Sequence, residues 1–193
     1  MAGDAVIDAD TTRLYEEARR RLLKNDPLRG EPGESADRTL TQGELSALRA
    51  VGMSASPWQG GVQQAPLQQS ITDYMALLET SYSTAQAARY LKVDASRVRP
   101  RLRDNSLFGI DYNGEKRLPR FQFERAQVIP GLREVLAALP QGLSPLDVAE
   151  WFLSPNPDLE IAAQEQPLSP RQWLLKGHSV QAVVNLAQGF DAR

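Results

Sequence analysis

The chain has 193 residues, 41% hydrophobic and 24% charged, which fits one medium or two small globular domains. It has no cysteine and one histidine, His178. That excludes a disulfide framework, a cysteine nucleophile, a thiolate zinc site and any multi-histidine metal centre. The net charge of -2 conceals an asymmetry: residues 89–125 hold ten Lys/Arg against five Asp/Glu, so that stretch carries +5 and the remainder -7. A basic patch on an acidic chain points to a polyanion partner, or else to an ordinary solvated face.

The opening "MAGDAVIDAD" is acidic and lacks a basic-then-apolar leader pattern. No apolar run approaches the ~18 residues of a membrane span. A cytoplasmic protein without a membrane partner is expected. Residues 13–24, "RLYEEARRRLLK", read as an amphipathic helix, and "NDPLRGEPGESADR" as a linker. Thr41 and Glu44 form a capping-box pattern that opens a short helix. Residues 54–69 read as a loop, and "ITDYMALLE" as a helix with Ile71, Tyr74, Met75, Leu77 and Leu78 on one side.

"STAQAARYLKVDASRVRPRLRDN" reads as helix-turn-helix. Ser83 with Gln86 caps the first helix, whose buried face is Ala87, Ala88 and Leu91. "KVD" is the turn, with Lys92 where glycine would be easier, and Asp94 is the cap of the second helix. Arginine recurs at every second position: Arg97, Arg99, Arg101 and Arg103. On a helix, Arg97 and Arg101 form one ridge and Arg99 and Arg103 another roughly 200° away, with Val98 and Leu102 turned to the core. Such a helix can sit in a groove and reach phosphate, or its arginine stems can simply shield the core. Pro100 argues for a helix that starts late, at Ser96, or one that bends.

Asn113-Gly114 between apolar runs signals a hairpin, with Leu107, Phe108, Ile110 and Tyr112 facing Leu118, Phe121 and Phe123. Lys116 and Arg117 flank its tip, which makes a wing able to touch phosphate, or a hairpin that only closes a small core. The candidate DNA-binding set is therefore Ser96, Arg97, Arg99, Arg101, Arg103, Lys116 and Arg117. Beyond it, Pro130, Ser144-Pro145, Ser169-Pro170 and Ser179 open four short helices that should pack as a bundle. Gly189 ends the last, with Phe190 folded back onto it. The expected fold is mainly α: residues 1–80 a helical and linker region of unassigned role, 81–125 a helix-turn-helix with a small wing-like β-hairpin, 126–193 a C-terminal helical bundle.

The order "RFQF", "VIPGLREVLAALP", "WFLSPNPDLE", "SPRQWLLKG" and "VVNLA" resembles the MbcA/ParS/Xre antitoxin family, the antitoxins of RES-domain toxins, over residues 81–190. The resemblance implies a homodimer without catalytic activity or cofactor. It implies that the helix-turn-helix binds double-stranded operator DNA, while the C-terminal bundle binds and blocks an NAD-consuming RES-domain toxin. The residues it would use against the toxin are Trp151, Asn156, Pro157, Leu159, Trp173, Leu174, Gly177 and Phe190. No enzyme is expected on other grounds: His178 has no nucleophile at a meaningful spacing, and the chain has no phosphate loop, no carboxylate-pair signature and no metal-ligand cluster. The alternative is a stand-alone DNA-binding regulator whose C-terminal bundle only dimerises.

Overall fold

The computed structural model describes residues 5–24, 64–160 and 166–190, and among these a pair of helices comes first. The expected linker at 25–38 and the Thr41–Glu44 capping box lie outside the described residues. Helix α1 (Ala5–Lys24) packs along α2 (Gln64–Thr80). Arg19 Nε reaches Asp73 Oδ1 at 2.6 Å, Arg21 pairs with Glu79, and the Tyr15 hydroxyl donates to the Asp73 carbonyl. Both helices start earlier than their sequence patterns suggest. Residues 5–12, ahead of Arg13, are already helical. Residues 64–69, expected as loop, are the first turns of α2. Pro66 falls in the opening turn, where its missing N–H costs nothing. Ile71, Tyr74, Leu77 and Leu78 form the buried face of α2 as the spacing predicts.

Strand β1 (Tyr82–Ser83) leads into α3 (Thr84–Leu91) and α4 (Ala95–Arg103). The wing follows as β2 (Ile110–Tyr112) and β3 (Glu115–Leu118), joined through Asn113 and Gly114 with φ of 51° and 78°. Positive φ at both central residues is what a tight two-residue hairpin requires. The sheet order is β1-β3-β2, all antiparallel, with Tyr82 opposite Leu118 and Ile110 opposite Arg117. The wing is shorter than the sequence suggests. Leu107 and Phe108 precede it, and Phe121 lies in a 3-10 turn (Arg120–Gln122). Phe123 belongs to a second small hairpin of β4 (Phe123–Glu124) and β5 (Gln127–Val128).

The C-terminal part is α5 (Leu132–Ala138), α6 (Pro145–Leu153), α7 (Pro170–Leu175) and α8 (Val180–Gln188). Ser144 and Ser169 each accept a backbone N–H at the third helical position, and Asp147 and Gln172 return the bond, so both capping boxes are complete. Ser179 holds the N-cap position of α8 without a side-chain cap bond. Helices α5 and α8 cross closely at Gly131, whose φ is 70°. Phe121 stacks on Phe152 at 4.8 Å between ring centres, so the wing region and the bundle share one core that runs from Ile71 to Ala187. The fold is mainly α with a small antiparallel β wing. Among the described residues no helix is long and apolar enough to cross a membrane.

Candidate nucleic-acid interface

Two small residues set the helix-turn-helix angle. Ala87 and Ala88 are buried on α3, and Val98 of α4 is fully buried beside them. The turn between the helices closes with Lys92 in the left-handed region, φ 55° and ψ 43°, while the Val93 N–H donates to the Ala88 carbonyl at 3.0 Å. Asp94 takes the N-cap position of α4, but through its backbone only: its carbonyl accepts from Arg97 N at 2.9 Å and its side chain makes no cap bond.

Pro100 neither starts α4 nor ends it. The helix begins at Ala95, not at Ser96, and carries the proline in its interior. Asp104 N donates to the Pro100 carbonyl at 3.0 Å, so the helical bonding resumes on the far side of the ring. Asp104 then accepts from Ser106, at 3.0 Å from the backbone N–H and 2.6 Å from the hydroxyl. Those bonds hold its carboxyl below the ordinary carboxylate range.

All four arginines of α4 reach solvent: Arg97, Arg99 and Arg103 are exposed and Arg101 is half-buried, with Ser96 exposed among them. None of the four makes an ion pair with another described residue. The wing differs. Lys116 Nζ sits 2.8 Å from Asp111 and Arg117 lies 3.4 Å from Glu115, so the basic residues of the tip already face carboxylates. At the base of the wing the backbone comes up against α4. A Cβ on Gly109 would lie 2.6 Å from the Leu102 side chain, which only glycine avoids without a shift.

The support behind this face comes from residues that sequence pattern does not single out. Gln122 is fully buried, and its amide accepts from Phe108 N and donates to the carbonyls of Phe108 and Pro119. It thereby ties the approach to the wing to its exit. Arg171 of α7, also fully buried, donates to the carbonyls of Phe121 (2.8 Å) and Phe123 (3.1 Å) and to Glu124 (2.6 Å). Arg120 bonds the Tyr82 hydroxyl at 2.8 Å and lies over that ring. A polar residue inside an aromatic run, as in "RFQF", is the one trace of this network in the sequence.

The eight residues implied for toxin contact do not gather on one face. Trp151, Leu159 and Leu174 are buried in the chain's own core, Trp151 edge-on to Phe152 at 5.0 Å. They therefore offer no surface to a partner in this conformation. Asn156 is half-buried and shapes its own loop: its side chain accepts from Asp158 N, and its N–H donates to the Leu168 carbonyl. Trp173 is half-buried against His178, with Nε1 donating to the Ser179 carbonyl at 3.0 Å. Phe190 packs its half-buried ring near Trp151. Pro157 and Gly177 are exposed, Gly177 with φ 76°.

No family model matches the sequence, and no curated protein does. A solved structure titled "NMR structure of Rv2175c" is similar over 56% of this chain and 79% of that one, at 25% identity and a TM-score of 0.44. A likeness at that level assigns neither fold nor function to this chain.

Proposed function

We propose that this chain binds double-stranded DNA through α4 and acts as a transcriptional regulator. The observation that carries the reading is the set of four solvent-reaching arginines on one nine-residue helix without intramolecular ion pairs among the described residues. Guanidinium groups that make no ion pair among the described residues, on a helix that a second helix and a wing hold outward, suit a polyanionic groove. Ser96 adds a hydroxyl near the helix start. Lys116 and Arg117 join the contact by exchanging Asp111 and Glu115 for phosphate. The test is fluorescence anisotropy with a labelled duplex. Replacing Arg97 and Arg101 together by alanine weakens binding and lowers its salt dependence by about two phosphate contacts. Unchanged binding would mean that the arginines only shield the core.

A second reading adds toxin neutralisation to the first. It rests on the resemblance to antitoxins of RES-domain toxins. It is favoured by the reach of Pro157, Gly177, Trp173 and Phe190 to the surface of the C-terminal helices, since partly exposed aromatics suit a partner surface. In this reading the chain, as a homodimer, blocks an NAD-consuming toxin and represses its own operon. Co-expression with a RES-domain protein encoded beside it should restore growth and yield a co-purifying complex. Trp173→Ala should weaken rescue while leaving DNA binding in place. Failure of rescue leaves the DNA-binding regulator alone.

A further inference from the structure

The outward face of α4 has a midline. Val98 is fully buried and Leu102 half-buried, so the core direction is fixed by those two. At about 100° per residue the opposite direction falls on Pro100, with Ser96 and the Asp104 cap within about 40° of it. Arg97 and Arg103 then lie about 60° to either side of Pro100, and Arg101 and Arg99 about 100° to either side. The arrangement is symmetric: two arginines on each flank and, between them, an exposed proline ring and a serine. Asp104 is turned back onto Ser106, which places its carboxylate at the far end of the midline.

Base reading in the major groove calls for side chains on that midline that make paired hydrogen bonds to base edges: arginine for guanine, asparagine or glutamine for adenine. Proline offers no donor, and serine discriminates poorly among bases. The groove is about 12 Å wide and a helix with its side chains is about 10–12 Å across, so groups on the two flanks of a seated helix point at the two sugar-phosphate strands. The wing cannot supply the missing reading in its present pairing, because Lys116 and Arg117 face Asp111 and Glu115.

Resting on the DNA-binding reading above, we infer that the two arginine flanks of α4 clamp the phosphates of opposite strands. The chain thereby selects duplex by groove shape and backbone, not by hydrogen bonds to base edges. Shape and deformability differ with sequence, so a preference for certain sites arises without direct base contact.

The experiment uses the full chain and duplexes drawn from a random-sequence library, with the best binders remade using 7-deazapurines, which lack the N7 acceptor of the major groove. Deaza duplexes should bind within about twofold of their parents, because phosphate contacts ignore N7. Neutral methylphosphonate linkages on either strand should weaken binding by about tenfold. The paired lysine variant R97K/R101K should stay within about threefold of the parent, since a compact point charge still serves a phosphate. R97A/R101A and R99A/R103A should each lower the salt slope by about two, with the ranking of sequences unchanged. Thermal unfolding of each variant separates lost contacts from lost fold. A loss of about tenfold on N7 removal would overturn the clamp and leave a base-reading helix. No binding to any duplex at low salt would remove the DNA-binding function itself, a result distinct from either.

Discussion

Lys92 holds a left-handed backbone at the turn between α3 and α4, with φ 55°. An L-residue with a side chain pays about 1–2 kcal/mol for that conformation, whereas glycine adopts it freely but loses more chain entropy on folding. Lys92→Gly should therefore raise stability by about 0.5–1 kcal/mol in urea denaturation, a gain that a loss of backbone fit would reverse. Asp104 gives a pH prediction. Its folded carboxyl is held low by the Ser106 hydroxyl and N–H first, with Arg133 and Arg101 adding to the effect. A depressed carboxyl contributes stability in full above its unfolded pKa of about 3.9 and loses it as pH falls through the lower folded value. Ser106→Ala should move the Asp104 carboxyl resonance, followed by NMR titration, back toward the ordinary range and shrink the acid limb of the stability curve. At this scale the sequence shows the awkward lysine plainly. It does not show that Asp94 caps through its backbone alone, because the residue type fixes a preference and the local geometry decides the bond.

The capping box at Ser83 and the serine-proline helix starts at Ser144 and Ser169 are legible in the sequence because each is set by residues at most three apart; the bonds that Asp147 and Gln172 return are added by the structure. The two-residue strands β1, β4 and β5 are not, because a partner distant along the chain defines β1 and a turn with Arg125 and Ala126 at positive φ defines the other two. Nor does any spacing reveal that Arg171 reaches back to Phe121, Phe123 and Glu124. Arg171→Met keeps much of the volume but leaves the Glu124 carboxylate, largely buried, and two buried carbonyls without their donor. Removing one partner of such a pair costs about 3–5 kcal/mol, to be read from urea midpoints at constant slope. Gly131 makes the α5–α8 crossing. With φ 70° and an added Cβ only 2.5 Å from Val180 Cγ1, Gly131→Ala meets both strain and overlap. It should cost about 2–4 kcal/mol, and the double variant G131A/V180A should recover the part due to overlap.

A boundary near residue 125 is visible in composition and motif, where the basic stretch ends and proline-led helices begin. What the sequence hides is that the two sides fold as one. One core cluster runs from Ile71 on α2 to Ala187 on α8, Phe121 stacks on Phe152, and α2 packs on α6. Arg171 extends the join into hydrogen bonding, and Gln122, next to its acceptors, holds the loop before the wing. Small-domain logic then implies a single cooperative transition. In a W58F variant, tryptophan emission reports Trp151 and Trp173 in the bundle, while binding to labelled duplex reports α4. Both should be lost at the same urea concentration, and both should shift together in the Arg171→Met variant. Deleting residues 169–193 provides the complementary test. A free-standing helix-turn-helix would keep its affinity, whereas a shared core deprived of Arg171, Leu174, Val183 and Ala187 leaves Phe121 and Phe152 exposed. The truncated chain should therefore lose DNA binding together with its fold. Retention of full affinity with native far-UV circular dichroism would show that the two halves are independent and that the arginine strut only docks one upon the other.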